Sequence, residues 1–74
     1  MSLSQEARRP ERLIYMANQI AKFFAAQPGD PADGVANHLR SFWDPQMRAD
    51  IVAWRAAGGD GLDPIAGEAV GRLG

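Results

Sequence analysis

HLRSFWDPQMR, residues 38–48, is the stretch that decides how this chain folds. It predicts that one helix ends at Phe42 and Trp43, the largest pair of neighbouring apolar side chains, and that another helix begins one residue later. Pro45 has a fixed φ and no amide hydrogen, so it suits the first position of that second helix. Asp44 before it can accept a hydrogen bond from a free amide of the first turn. The sequence therefore predicts a rigid corner that holds both aromatic side chains.

Proline and glycine mark the other helix boundaries in the same manner. The predicted helices run from Pro10 to about Ala26, from Pro31 to the aromatic pair, from Pro45 to about Ala57 and from Pro64 to Leu73. Three of the four prolines follow an aspartate N-cap, at Asp30, Asp44 and Asp63. No segment alternates apolar and polar residues as a half-buried strand does. The sequence predicts an all-α fold, a small bundle of about four short helices joined by tight Pro/Gly turns, in which a flexible N-terminal segment, residues 1–9, precedes a single helical domain, residues 10–74.

Apolar residues recur at steps of three and four in each predicted helix, which places them on one face. The predicted inner faces are Leu13, Met16, Ala17, Ile20, Phe23 and Phe24, widened by Ile14 and Ala21; Val35, Leu39 and Phe42, flanked by Ala32, Ala36 and Trp43; Met47, Ile51 and Trp54; and Ile65, Ala66, Ala69, Val70 and Leu73. On the last helix, Glu68 and Arg72 can pair at i,i+4. Two interior glycines, Gly67 and Gly71, cost this helix about 1 kcal/mol each relative to alanine. We therefore expect the tail to be partly disordered in the free chain and to order on binding.

Length and composition exclude several classes of protein. The chain has 74 residues, so it forms one domain at most and buries only about 60% of the surface that its unfolded form exposes. It contains no cysteine, which excludes disulfides, thiol catalysis and zinc fingers. Its net charge is −1, so no overall field draws it to nucleic acid or to an anionic membrane. The sequence has neither an apolar run of about 18 residues nor the apolar core of a signal peptide, and we expect a cytoplasmic protein.

The sequence contains no recognisable catalytic or metal-binding pattern. His38 is the only histidine and has no second ligand at metal-binding spacing, so we expect a boundary residue bonded to a neighbour. The loop GGDGLD, residues 58–63, lacks the GK[ST] ending of a phosphate loop and the ligands of a calcium loop. We interpret it as a turn with Leu62 tucked under the bundle. These observations favour a binding or structural role over catalysis.

Apolar and aromatic side chains exceed what so small a bundle readily buries, and aromatic and arginine residues dominate the energetics of protein interfaces. The predicted partner-binding residues are Phe42, Trp43, Arg48 and Trp54 as anchors, with Asn18, Gln19 and Arg40 as polar contacts. Asn18 and Gln19 lie on the predicted outer side of the first helix, where solvation alone also explains them. The alternative for Phe42, Trp43 and Trp54 is that they form the core of the bundle itself.

Three segments, in order along the chain, resemble one protein family. They are LIYMANQIAKFF at residues 13–24, HLRSFWDPQMR at 38–48 and GGDGLDPI at 58–65. Together they are similar to the delta subunit of the soluble, NAD-dependent formate dehydrogenases that contain molybdenum or tungsten. The resemblance covers residues 13 to about 73, and its most specific pieces are MANQIA at 16–21 and FWDP at 42–45. Gln46 departs from the family pattern, which often has a basic residue there.

This resemblance implies an accessory role in a complex that oxidises formate with NAD. In that family a large catalytic subunit carries a molybdenum or tungsten bis-pterin cofactor and iron–sulfur clusters, and other subunits handle FMN and NAD. The delta subunit is expected to bind none of these cofactors and to be non-catalytic. Its expected partner is the large catalytic subunit, which it would stabilise or help to mature with its metal cofactor.

Two other classes of function stay open. A self-associating helical protein would cover its apolar surface with a second copy and form a homodimer. A helix-turn-helix nucleic-acid binder would use the one-residue corner, but the third helix offers only Arg48 and Arg55 beside Asp50, and a recognition helix usually carries more positive charge. We therefore expect protein partners, and neither nucleic acid nor a membrane.

Overall fold

Four helices form the part of the chain that the computed structural model describes, residues 9–73. They are α1, Glu11–Ala25; α2, Pro31–Phe42; α3, Pro45–Ala56; and α4, Pro64–Leu73. Residues 9–73 contain no strand. The predicted all-α bundle is thereby confirmed. The expected flexible segment, residues 1–9, lies outside the described residues except for Arg9.

Aspartate caps start three of the helices, as the sequence predicts. Oδ1 of Asp30, Asp44 and Asp63 each accepts a hydrogen bond from a backbone amide two or three residues further along, at 2.8–3.4 Å. A proline follows each cap at the first helical position, where its missing amide hydrogen costs nothing. α1 differs, because Pro10 lies before the helix without a side-chain cap and Glu11 begins it. The prediction that every helix opens on a proline is therefore right for α2, α3 and α4 only.

α4 packs against all three other helices of the bundle. Its Ala66, Ala69 and Val70 are fully buried. The rest of the core consists of Ile14, Ala17, Ala21, Ala32, Val35, Ala36, Leu39, Trp43 and Ile51. Unfolding of α4 would expose core side chains of every other helix, at a cost of about 25 cal/mol per Å² of apolar surface. This packing argues against the expectation that the tail is partly disordered in the free chain.

The inner face of α1 is rotated from the predicted one. Ile14, Ala17 and Ala21 are its buried residues, whereas Phe23, which the sequence places on the inner face, is 60% exposed. At 100° per residue, Phe23 lies roughly 150° from the middle of the buried arc. Apolar residues cover about half of α1, so the periodicity alone does not identify the centre of that face. The two alanines occupy it because their small side chains let neighbouring helices approach closely.

The corner after α2 buries the opposite aromatic residue from the one predicted. Trp43 is 4% exposed and belongs to the core, while Phe42 is 74% exposed. The four buried residues of α2 define an arc, and helical geometry places Trp43 about 30° and Phe42 about 70° from its middle. The face that the sequence predicts is centred on Val35, Leu39 and Phe42. Because Ala32 and Ala36 are also buried, the true centre lies closer to Trp43.

Arg72 ties the last turn of α4 to the start of α2. Its Nη2 donates to Oε2 of Glu68 at 2.7 Å, which confirms the predicted i,i+4 pair, and its Nη1 donates to Oδ2 of Asp30 at 3.1 Å. The hydrogen bond from Arg72 lowers the pKa of Asp30 below the usual value of 3.8. The carboxylate of Asp30 therefore both caps α2 and holds α4 against it.

Stability should depend on the ionisation of Asp30. Because the pKa of Asp30 is lowered in the folded chain, its carboxylate stabilises the fold above 3.8, and this contribution is lost as pH falls through the folded-state pKa. Asp30→Asn retains a capping oxygen but not the charge, so it should unfold at lower urea than the wild type at neutral pH. The urea midpoints of the wild type and of Asp30→Asn should become equal at acid pH, where Asp30 is protonated. Asp33→Asn is the control, because Asp33 lies in the same helical turn but outside the ion pairs of residues 9–73. The difference in urea midpoint between this variant and the wild type should be the same at neutral and at acid pH.

Gly67 offers a stabilising substitution inside α4. A Cβ added there meets no heavy atom within 4 Å, so Gly67→Ala should raise the free energy of unfolding by about 1 kcal/mol through helix propensity. Gly71→Ala is the matched control, because its Cβ would lie 2.9 Å from Cζ of Arg55 and the guanidinium would have to move. Urea unfolding followed by circular dichroism measures both. No gain in Gly67→Ala would contradict the open space beside that residue.

Candidate subunit interface

Four ring side chains form a continuous row on the surface of α1 and α2. We call Phe23, Phe24, His38 and Phe42 the aromatic strip. The ring centroids of Phe23 and Phe24 are 5.1 Å apart in an edge-to-face arrangement, those of Phe24 and His38 are 6.3 Å apart, and those of His38 and Phe42 are 4.7 Å apart. Both ends of the strip, Phe23 and Phe42, are mostly exposed. Contiguous exposed aromatic surface of this kind is typical of binding sites.

Gly34 lets Phe24 connect the two halves of the aromatic strip. The ring of Phe24 lies directly over Gly34, where an added Cβ would stand only 2.5 Å from Cδ1 of the ring. His38, one turn later on α2, is half-buried beside Phe24 at the edge of the core, as predicted, but its side chain makes ring contacts and no hydrogen bond with the described residues, so the expected bond to a neighbour is not observed. Within residues 9–73, no group of three or more potential metal ligands includes it.

Arg48 closes the corner between α2 and α3. Its Nη1 donates to the backbone oxygen of Trp43 at 2.5 Å and to that of Arg40 at 3.2 Å. These carbonyls belong to the carboxyl end of α2, where free acceptors and the helix dipole favour a cation. Arg48 was predicted as an anchor for a partner. The structure shows that part of its hydrogen-bonding capacity is already used within the chain.

Trp54 is held by the loop that follows α3. Its Nε1 donates to the backbone oxygen of Asp60 at 2.8 Å, and its ring covers Gly59 so closely that any side chain there would collide with it. The guanidinium of Arg9 lies 5.3 Å from the centre of the ring, a cation–π contact. Trp54 is half-buried, consistent with its predicted place on the inner face of α3.

Arg9 is a structural residue that the sequence analysis missed. It forms ion pairs with Glu11 and with Asp60, and hydrogen bonds to these two carboxylates raise the pKa of Arg9 above its usual value. The sequence offers no signal for the second pair, because the two residues are 51 positions apart. Together with Trp54, Arg9 fixes the 58–63 loop, which is a turn as predicted, with Leu62 packed against the core.

Asn18 also holds this loop and does not lie on the solvated side of α1. Its Nδ2 donates to the backbone oxygen of Gly61 at 2.9 Å, and its Oδ1 accepts from the amide of Asp63 at 2.9 Å. The predicted outer position is wrong because the buried arc of α1 is centred on Ile14, Ala17 and Ala21, which brings Asn18 to its edge. Nδ2 and Oδ1 of Asn18, which was predicted as a polar contact for a partner, thus both bind the backbone of their own chain.

Gln19 and Arg40 are the exposed polar residues among those predicted for partner contact. Gln19 lies between Tyr15 and Phe23 at steps of four on the outer side of α1, and Tyr15 is 64% exposed. Nη1 of Arg40 donates to Oδ1 of Asn37 at 3.0 Å, and its Nη2 donates to the backbone oxygen of Arg72 at 3.2 Å. The structure thus leaves Phe42, Gln19 and Arg40 at the surface, half-buries Asn18, Arg48 and Trp54, and buries Trp43.

Residues 12–70 match the family model of the NADH-dependent formate dehydrogenase delta subunit FdsD. The chain belongs to this family. No curated protein and no solved structure matches it. The match spans the aromatic strip, the corner and the loop held by Trp54, so the resemblance carried by these segments is confirmed.

The delta subunit is accordingly an accessory subunit of an NAD-dependent formate dehydrogenase, and it functions beside other subunits of that complex. None of its described helices has the length and apolarity needed to cross a membrane. Its aromatic strip is therefore exposed in a chain that has protein partners, which makes it a candidate subunit interface.

Phe42 and Trp43 should differ sharply in their effect on stability. Trp43→Ala removes the largest side chain of the core and should lower the free energy of unfolding by about 3–5 kcal/mol. A domain of this size has roughly 4–11 kcal/mol in total, so that variant should be close to unfolding. Phe42→Ala should change stability by about 0.5 kcal/mol or less. Urea unfolding followed by circular dichroism measures both, and similar losses in the two variants would contradict the burial of Trp43.

Proposed function

We propose that the delta subunit is non-catalytic, binds the large catalytic subunit of its formate dehydrogenase, and stabilises it or assists its maturation with the metal cofactor. The observation that carries this proposal is the exposed aromatic strip on a chain of this subunit family. Burial of phenylalanine rings contributes a large favourable free energy when a partner removes water from such a surface.

A few aromatic side chains supply much of the energy of a typical interface. The ends of the strip, Phe23 and Phe42, are 60% and 74% exposed, so both rings have apolar surface left to bury. Phe24 and His38 between them are half-buried and in ring contact with their neighbours. The exposed rings are thus supported from within the chain, and a partner would meet them with little loss of side-chain entropy.

The polar groups of the described residues support a non-catalytic role. Asp30, Asp44 and Asp63 cap helices, and Asp60 and Glu68 form ion pairs. Catalytic sites typically pair a nucleophile with a base in a cleft, and these carboxylates serve the fold instead. We propose that the cofactors of the complex, a molybdenum or tungsten bis-pterin, iron–sulfur clusters, FMN and NAD, are bound by its other subunits.

Substitutions in the aromatic strip should weaken the complex without unfolding the delta subunit. The double variant Phe23→Ala/Phe42→Ala should lower the affinity for the large subunit roughly 30-fold or more, the scale of an interface hot spot. Tyr15→Ala is the control, because Tyr15 is equally exposed on α1 but lies outside the strip. Tagged chains purified from cells grown on formate, with the copurifying large subunit quantified, provide the measurement. Recovery of the wild-type chain alone, as a monomer or homodimer, would refute the proposal.

The same cells separate the two roles proposed for this binding. Deletion of the delta subunit should lower the metal content of the isolated large subunit if the chain assists maturation. Unchanged metal content with a lower melting temperature would assign it to stabilisation. If both properties are unchanged, neither role applies.

A further inference from the structure

Three arginines gather around the last turn of α4. Nη2 of Arg40 donates to the backbone oxygen of Arg72, and Nη1 of Arg48 donates to the backbone oxygen of Arg40, each at 3.2 Å. The guanidinium of Arg55 lies over Gly71, 2.9 Å from where a Cβ would stand. We call Arg40, Arg48 and Arg55 the arginine cluster. It consists of one residue of α2 and two of α3, with Arg40 and Arg48 at one groove beside α4 and Arg55 at another.

The arginine cluster forms no ion pair with a carboxylate of residues 9–73. The two arginines that do so in this part of the chain are Arg9 and Arg72. Glu68 and Asp63 lie near Arg55 in the groove between α3 and α4, but Glu68 is paired with Arg72 and Asp63 caps α4. Within residues 9–73, these three positive charges therefore have no pairing carboxylate, although the chain as a whole has a net charge of −1.

Helix ends account for only part of this arrangement. Arg40 and Arg48 bind backbone oxygens at the carboxyl ends of α4 and α2, where cations are favourable. A guanidinium has five N–H donors, however, so each keeps several for another acceptor. The guanidinium of Arg55 makes no hydrogen bond to any described residue, and its side chain is exposed. The capacity that remains matches carboxylates, which arginine binds in a bidentate manner.

A shallow groove of mixed polarity lies between Arg40 and Arg48. Ala49, Val52 and Leu73 line it. A second groove, lined by Arg55 with Gly67 and Gly71, lies on the other part of the contact between α3 and α4. The first groove combines these apolar side chains with two guanidinium groups, and the second is also lined by the carboxylates of Glu68 and Asp63. Such a surface suits a chain segment that presents both apolar and acidic side chains. It is less suited to a free anion, because an anion gains nothing from contact with Ala49, Val52 and Leu73.

We propose that the arginine cluster docks an acidic segment of a partner subunit of the formate dehydrogenase. Carboxylates of that segment bind Arg40 and Arg55, and its apolar side chains contact Val52 and Leu73. This inference rests on the proposed function, because it requires that the delta subunit binds another subunit. It adds a second surface to the aromatic strip, since Arg40 and Phe42 lie on roughly opposite sides of α2.

Salt dependence distinguishes the two surfaces. Ion pairs at an interface are screened over about 8 Å at physiological ionic strength, whereas contacts between apolar rings are not. The experiment measures the dissociation constant of the full-length delta subunit with the remaining subunits, purified from cells lacking it, at low and at high sodium chloride. Arg40→Gln/Arg55→Gln should weaken binding about fivefold to tenfold at low salt and match the wild type at high salt.

Arg12→Gln is the matched control, because Arg12 is exposed on α1, away from the cluster, and should retain the wild-type salt dependence. Arg48 is left unchanged, since it also closes the corner after α2. Thermal unfolding of each variant shows whether the fold is intact, and Arg55→Gln alone, which removes no internal hydrogen bond, should give a smaller effect in the same direction. If Arg55→Gln and Arg40→Gln/Arg55→Gln both keep the salt dependence of the wild type, the inference is overturned.

The controls also separate this inference from the proposed function. If the wild-type chain does not bind the remaining subunits, the proposed function fails. If aromatic-strip variants weaken binding and Arg55 variants do not, only the arginine cluster is wrong. Millimolar inorganic pyrophosphate should compete with the partner for the arginine cluster of the wild type. If it weakens subunit binding of the Arg40→Gln/Arg55→Gln variant equally strongly, the salt-sensitive contact lies elsewhere and the inference is overturned.

Discussion

The burial of Trp43 at the corner between α2 and α3 constrains the rest of the structure. Its backbone is extended, with φ −88° and ψ 140°, and that of Asp44 is extended too, with φ −74° and ψ 167°. Pro45 then starts α3 at once, so only these two residues separate α2 from α3. Since Arg48 also binds the carbonyl of Trp43, the side chain and the backbone of this residue are fixed together. Once Trp43 points inwards, Phe42 has to point outwards.

Small side chains limit what the core can hold. Six of its twelve residues are alanines, on α1, α2 and α4, so these helices approach closely and leave little volume for larger groups. Trp43, the one tryptophan among these twelve residues, fills much of that volume. Larger apolar residues that the sequence provides, including Phe23 and Phe42, are therefore left at the surface. An excess of apolar residues over core volume is a property expected of a subunit that completes its burial against another protein.

Local signals in the sequence were sufficient to predict the helices and their caps. An Asp-Pro pair specifies a helix start through the atoms of neighbouring residues, so Asp30, Asp44 and Asp63 required no knowledge of the tertiary structure. The assignment of faces required more. Phe42 and Trp43 are adjacent and both strongly apolar, and only the packing of α2 on α4 decides between them. Asn18, with partners more than forty residues away, and Arg9, paired with Asp60, depend on contacts that no periodicity reveals.

The residues predicted for partner contact divide into two groups in the structure. The first group, which holds the loop and the corner, consists of Asn18, Trp43, Arg48 and Trp54, so a substitution there would disturb the fold as well as any interface. Phe42, Gln19 and Arg40 lie at the surface, where the fold depends on them less. Loss of a partner after substitution of the first group would therefore report on folding. Only the second group, together with Phe23 and Arg55, can report on recognition. The side chains of these residues are exposed, so their substitution changes the surface more than it changes the core.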